Sequence, residues 1–125
     1  FFVWIGWKQG TSMDKADFYR SARDDFNGPL HGVRVLEATT AWAGPMAGCL
    51  LADMGAEVIK IEWRKGADLR NSGPFVGDMS VQFAAYNRGK KSITLNTRHP
   101  DGKRLFLDLV GVSDVVLENF RPGTM

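Results

Sequence analysis

The chain has 125 residues, 44% hydrophobic and 24% charged, a balance that excludes a disordered or membrane-embedded protein and sets one modest domain, or part of one, as the ceiling. Its 16 basic and 14 acidic side chains leave a formal net charge of +2, too mild and too mixed for a nucleic-acid surface, although a local cluster can still hold phosphates. No apolar run approaches the ~18 residues of a membrane span, and the single cysteine excludes an internal disulfide or multi-cysteine metal site, so the expected address is cytoplasmic, without membrane or nucleic-acid partners.

Residues 1–10, from Phe1 to Gly10, are apolar but lack a basic lead and a small-residue cleavage site, so they do not read as a signal peptide. The chain has no initiator methionine and stops at Met125 directly after a turn signal; the expectation is a piece of a longer polypeptide. Residues 11–28 mix Asp14, Lys15, Asp17, Arg20, Arg23, Asp24 and Asp25 with Phe18, Tyr19 and Phe26, which reads as a polar lead. Residues 1–28 are therefore expected as an N-terminal extension and 29–125 as the domain proper.

Asn27-Gly28-Pro29 is strong turn punctuation, and Val33 to Ala38 has the β-branched and apolar content of a buried first strand. Gly44-Pro45 opens a helix on which Met46, Leu50, Leu51 and Met54 recur at three-to-four spacing, and Gly55 stops it. Ala56 to Glu62 alternates around Val58, Ile59 and Ile61 as a second strand, so the unit is βαβ with a parallel, right-handed crossover. Residues 63–80, with Gly66, Gly73, Pro74 and Gly77, read as a long loop, and Val81 to Tyr86 as a short helix. Ser92 to Thr97 alternates as a third strand. Pro100 starts a helix carrying Leu105, Phe106, Leu109, Val110 and Val112 on one side, and Asp114 to Phe120 reads as a fourth strand. The fold class is α/β, a Rossmann-like open and mostly parallel sheet with flanking helices.

In such sheets ligands lie beyond the carboxyl ends of the strands, where helix N-termini offer unpaired N–H groups. The segments of interest are thus Thr39 to Gly44, Trp63 to Asp68, Thr97 to His99 and Asn119 to Gly123. Arg64, Lys65, Arg98 and Arg121 at these ends suit an anion with several phosphates; the competing reading is solvated loop charge. A nicotinamide or flavin dinucleotide does not fit, because the first turn reads Ala41-Trp42-Ala43-Gly44-Pro45 instead of Gly-x-Gly-x-x-Gly and Pro45 removes a needed N–H. Glu62 is expected to cap its strand or pair with Arg64. No Walker A motif is present. Cys49, beside Leu50 and Leu51, is expected as a small core residue. His31 and His99 have no base or ligand at a recognisable spacing, and Asp53 is expected on a helix surface.

Pro29-Leu30-His31-Gly32, Ala43-Gly44-Pro45, Leu51-Ala52-Asp53-Met54-Gly55-Ala56, Val58-Ile59-Lys60-Ile61-Glu62, Asn87-Arg88-Gly89-Lys90-Lys91-Ser92, His99-Pro100-Asp101-Gly102 and Asn119-Phe120-Arg121-Pro122-Gly123 follow one another along the chain. In that order they resemble the start of a family III CoA-transferase, the group that contains formyl-CoA transferase and the carnitine CoA-transferases. The resemblance covers about residues 29–125 and implies the N-terminal portion of that fold, in which two chains interlock as a homodimer. It implies transfer of CoA from an acyl-CoA donor to a small carboxylic acid acceptor, without a metal. An aspartate attacks the donor thioester, giving a mixed anhydride and then an enzyme-bound CoA thioester.

Carried over residue by residue, the CoA-binding positions fall on Trp42, Ala43, Trp63, Arg64, Leu95, Asn96, Thr97, Arg98, Asn119, Phe120 and Arg121, the same strand ends chosen on physical grounds. Arg64 and Arg98 are expected on phosphates and Trp63 against the adenine. Formyl-CoA transferase-like members carry a basic residue where Trp63 stands, so either stacking replaces that contact or Arg64 takes over the charge. The nucleophile lies beyond the Asn-Phe-Arg-Pro-Gly loop. Neither Asp101, Asp108 nor Asp114 takes its place, so no catalytic residue is expected here and the piece alone is expected to be inactive. The alternatives are an α-methylacyl-CoA racemase-like enzyme of the same fold and a noncatalytic CoA-binding module.

Overall fold

Short apolar runs separated by glycine and proline turns build one parallel sheet from residues 27–125, the part of the chain that the computed structural model describes. The expected extension, save Asn27 and Gly28, lies outside the described residues. The elements are β1 (Arg34–Ala38), α1 (Ala43–Asp53), β2 (Glu57–Glu62), a single-turn 3₁₀ helix (Asp68–Asn71), β3 (Phe75–Val76), β4 (Met79–Ser80), α2 (Val81–Asn87), β5 (Lys91–Thr94), α3 (Pro100–Gly111) and β6 (Val115–Glu118). The main sheet has four strands in the order β5-β2-β1-β6, every neighbour parallel. The chain therefore winds outward from β1 to β5, then returns to lay β6 on the other side of β1. Right-handed crossovers in opposite directions put α1 and α3 on opposite faces and leave a topological switch point between β1 and β6.

The core is small and centred on β1 and β2: Val35, Leu36 and Val58 are buried, and Leu30, Val33, Leu51, Ala52 and Leu117 pack around the cluster of Val35, Ala56 and Val58. At its base two backbones touch. Gly28 and Gly55 hold φ of +89° and +95°, and a Cβ on Gly55 would lie 1.9 Å from the Asn27 carbonyl oxygen, so only glycine lets the leading turn dock on the end of α1.

The two main helices pack differently from their apolar spacing. On α1 the buried residues are Gly44, Pro45, Gly48 and Cys49, whereas Met46, Leu50 and Met54 are 41–46% exposed. Small residues win because the space between α1 and the sheet is already occupied. A Cβ on Gly48 would lie 2.0 Å from Glu37 Oε2. Likewise α3 turns Gly102, Phe106, Leu109 and Val110 inward and leaves Leu105 and Val112 exposed. The loop over 63–80 contains structure that its glycines conceal in the sequence: the 3₁₀ turn and the two-residue antiparallel pair β3–β4. Ser80 caps the start of α2 by accepting from the Phe83 N–H, and the helix runs to Asn87, one residue past the expected Tyr86.

Glu37, fully buried on β1, accepts from Lys60 Nζ (2.7 Å) and Thr39 Oγ1 (2.6 Å) through Oε1. Lys90 Nζ lies 2.7 Å from Glu37 Oε2, off the direction of a hydrogen bond, and donates to the Pro45 carbonyl and Asn87 Oδ1. Burial lowers the Lys90 pKa, and Glu37 opposes that shift. One carboxylate thus joins β1, β2, α1 and the turn after α2. Removing it would leave two ammonium groups without their anion.

Candidate functional site

Every C-terminal strand end of the main sheet opens toward one side of the molecule, and the loops there form a cleft of about 390 Å³. Ala38 and Ile61 supply its floor, Phe106 and Leu107 of α3 one wall, and Trp63, Leu95, Asn96, Thr97 and Phe120 the rim. Ile61 alternates with the inward-facing Lys60 and Glu62, so the cleft lies on the α3 face, opposite the Glu37 cluster. Trp63 also edges a shallower depression with Arg64, Lys65, Gly66 and Asp68. The cleft is mostly apolar, with polar groups from Thr39, Thr40, Asn96, Thr97 and Lys103 in its lining, as suits a ligand with a greasy arm and a charged head.

Local sequence explains how the rim is held. Pro100 starts α3, and His99 Nδ1 accepts from the Asp101 N–H at 3.3 Å, which fixes His99 as a cap. Gly102 lies so close under the preceding loop that a Cβ would fall 2.0 Å from the Asn96 carbonyl oxygen. Across the switch point, Asn119 accepts from the Thr40 N–H and donates to the Thr40 carbonyl, both at 2.9 Å. That two-bond bridge steadies the turn in which Ala41 takes a φ of +55°, a conformation costing about 1 kcal/mol or more for a residue with a Cβ.

Glu62 does not pair with Arg64. Its oxygens accept from Arg70 at 2.6 and 2.7 Å, from the Ala67 N–H at 2.8 Å and from Ser92 Oγ. The Arg70 guanidinium, then Ser92 and Ala67, outweigh burial and hold the Glu62 carboxyl at a pKa of about 2. Gly66, at φ +82°, lets the chain turn back so that the 3₁₀ helix carries Arg70 over the strand end, while Arg64 faces the shallow depression.

The consequence is an uneven charge distribution. The framework cations Arg34, Lys60, Arg70, Arg88, Lys90 and Lys91 all have carboxylate partners. Among the described residues, Arg64, Lys65, Arg98, Lys103 and Arg121 have none; they lie in the loops past β2, β5 and β6 and in the first turns of α3. Lys103 lines the cleft; its place one turn after the His99 cap was the available sequence signal.

Of the expected binding residues, Trp63, Leu95, Asn96, Thr97 and Phe120 line the cleft, and Arg64 lies in the adjoining depression. Arg98 stands over the Trp63 ring, its guanidinium carbon 4.8 Å from the centroid. Asn119 acts on the turn through Thr40. Trp42 stacks on Tyr86 at 6.0 Å, and Trp42, Ala43 and Arg121 do not line the cleft. Cys49 is wholly buried in α1 as a core residue, with Sγ 3.6 Å from the Ala85 carbonyl oxygen. Asp114 accepts from the Arg34 N–H at the opposite end of the sheet, Asp101 faces Arg104 at 3.5 Å, and Asp108 is exposed.

Residues 30–125 match the family model described as CoA-transferase family III. The chain belongs to this family. Family III relatives include the acetyl-CoA:oxalate CoA-transferase of Acetobacter aceti, 46% identical over 99 residues that make up 78% of this chain and 25% of the relative. The human succinyl-CoA:glutarate CoA-transferase is 47% identical over 100 residues, 78% of this chain and 23% of the relative. The succinyl-CoA–L-malate CoA-transferase beta subunit of Chloroflexus aurantiacus is 44% identical over 99 residues, with 78% and 24% covered. This family III chain thus spans about a quarter of the length of these relatives. A crystal structure titled as a CAIB/BAIF family protein from Brucella suis matches with a TM-score of 0.73 at 44% identity, over 78% of this chain and 27% of that one. The Rv3272 protein of Mycobacterium tuberculosis matches with a TM-score of 0.72 at 46% identity, with 78% and 27% covered.

Proposed function

We propose that the domain over residues 29–125 forms the CoA-binding part of a transferase that moves CoA from an acyl-CoA donor to a small carboxylic acid. The observation that carries the reading is a set of cations without a carboxylate partner among the described residues, Lys103 in the apolar cleft at the switch-point end of the sheet, Arg64 in the adjoining depression and Arg98 over the Trp63 ring. A nucleotide head with several phosphates suits the cations; a flexible apolar arm suits the cleft between Ile61, Leu95 and Phe106. Both features match CoA in charge and shape.

In this reading an aspartate outside residues 1–125 attacks the donor carbonyl and expels CoA thiolate. The thiolate then attacks the aspartyl carbonyl, which releases the donor acid and leaves an enzyme-bound CoA thioester. The acceptor carboxylate attacks that thioester and expels CoA thiolate, which attacks the acceptor carbonyl of the new anhydride, giving acceptor-CoA and the free aspartate. The residues described here bind, orient and shield the thioester, because a carboxylate is a weak nucleophile that needs a positioned, water-excluded partner. By themselves they carry no nucleophile in this reading. Two chains interlock in the active assembly, and the reaction takes place in the cytoplasm. The name of the Chloroflexus relative as a beta subunit makes an unlike pair the outcome to distinguish from a homodimer by intact mass.

The test is calorimetric titration of the full chain with CoA. Arg64→Ala and Arg98→Ala should each weaken binding by roughly ten-fold, the worth of one charge-assisted contact; unchanged affinity in both variants overturns the phosphate site. CoA exchange between an acyl-CoA and an added acid separates a transferase from a racemase, which would exchange the α-proton without moving CoA.

A further inference from the structure

Among the described residues two guanidinium groups lie on aromatic rings, and their hydrogen-bonding edges differ. Arg70 sits 3.7 Å over the Phe83 ring, and two of its nitrogens donate to Glu62. Arg98 sits 4.8 Å over the Trp63 ring, and among the described residues its guanidinium has no hydrogen bond or ion-pair partner. A ring engages only the face of a guanidinium. The N–H groups point outward in its plane and stay free to grip an anion by two parallel bonds.

The surroundings fix both members. Trp63 directly follows β2 and Arg98 lies in the loop after β5, two strands hydrogen-bonded side by side, with the ladder continued by the Leu95 N–H donating to the Glu62 carbonyl at 3.0 Å. Asn96 Oδ1 accepts from the Arg98 N–H at 3.2 Å, and the close approach of Gly102 to the Asn96 carbonyl pins that loop to α3. The indole is 51% exposed, so the pair stands at the rim, where an arriving phosphate meets it.

We propose that Trp63 is a positioning residue that holds the Arg98 guanidinium edge-out toward a phosphate of the bound nucleotide, instead of contacting the ligand itself. The indole confines a side chain that would otherwise sample many rotamers, and binding then loses less side-chain entropy. The proposal rests on the CoA reading above and assigns Trp63 a task that the expected adenine contact does not include. Lysine cannot substitute for Arg98 in this arrangement, because an ammonium lacks both the flat face and the planar fork.

The decisive experiment is a double-mutant cycle on CoA affinity in the full chain, using Trp63→Leu, Arg98→Ala and the double variant. With Arg98 present, Trp63→Leu should weaken binding by roughly two- to five-fold, the equivalent of one exposed cation–π contact; with Arg98→Ala it should have no effect. Trp63→Phe should restore most of the loss, since it keeps a ring face, and Arg98→Lys should bind nearly as poorly as Arg98→Ala. Equal losses from Trp63→Leu in both backgrounds overturn the proposal and show that the indole touches the ligand directly. No loss in either background also overturns it. Failure of the unmodified chain to bind CoA overturns the CoA reading and this role together, whereas binding with additive losses overturns the positioning role alone.

Discussion

Replacing Gly48 by alanine sets two effects of opposite sign against each other. In the interior of α1 alanine should be favoured by about 1 kcal/mol on helix propensity. Its Cβ, however, would lie 2.0 Å from Glu37 Oε2, 2.9 Å from Glu37 Cδ and 3.2 Å from Lys90 Nζ, so the carboxylate or the helix must move by more than an ångström. The carboxylate is held at 2.6–2.7 Å by Thr39, Lys60 and Lys90, and a shift of that size breaks at least one of these contacts inside the core. Disrupting a buried ion pair costs about 3–5 kcal/mol, so the net expectation for Gly48→Ala is a loss of about 2–4 kcal/mol. Gly111→Ala is the control: it lies at the end of α3, and its Cβ would meet nothing within 4 Å, so it should be neutral or stabilise by up to about 1 kcal/mol. Urea unfolding followed by far-UV circular dichroism measures both, provided the slope is unchanged. If Gly48→Ala unfolds at the same or a higher urea concentration than the unmodified chain, the carboxylate is not confined as described.

Gly102→Ala places a Cβ 2.0 Å from the Asn96 carbonyl oxygen and should both destabilise the fold and weaken CoA binding, because the loop carrying Arg98 must move; wild-type affinity would refute the coupling. The Glu62 carboxyl, at about 2 against an ordinary 4.5, supplies stability that is present above pH 4.5 and lost as pH falls toward 2. Arg70 is 43% exposed, and after allowance for that screening the contribution is about 2 kcal/mol. Glu62→Gln should therefore lose about that much at pH 7, with the gap closing toward pH 2, and a gap that stays constant down to pH 2 would count against it. Asn119→Leu removes both partners of Thr40; native-state hydrogen exchange at the Thr40 amide should quicken at least ten-fold, and unchanged protection would show that the turn holds without the bridge.

The sequence made the principal strands and helices legible because β-branched runs and Gly or Pro punctuation act locally. Val33 to Ala38 and Ala56 to Glu62 agree with β1 and β2 within a residue, and Pro100 marks the start of α3. The packed face of α1 was not legible: Met46, Leu50 and Met54 dominate any hydrophobic pattern, whereas Gly44 and Gly48 bury a face by being small enough to admit Glu37, Thr39 and Asn119. Arg64 was the nearer partner for Glu62 along the chain, but the 3₁₀ turn that delivers Arg70 depends on three-dimensional closure. At the candidate site, the cationic strand ends were visible as residues. Their lack of carboxylate partners among the described residues was not, because it depends on which acids the other cations take. The Arg98–Trp63 pair was hidden for the same reason, since only the adjacency of β2 and β5 brings those positions together.

The buried cluster also sets alignment. Glu37 and Lys60 are directly opposed across the β1–β2 ladder, and their side chains share a face only while that register holds. A slip of β2 by one position would send Lys60 to the α3 side of the sheet and bring an apolar neighbour against the Glu37 carboxylate. Apolar strands such as Val-Leu and Val-Ile tolerate many pairings at similar energy, so a hydrophobic core alone distinguishes them weakly. An ion pair confined to the middle of the sheet makes a one-residue shift leave a charge stranded, and so favours the alignment in which the carboxyl ends of the strands finish together.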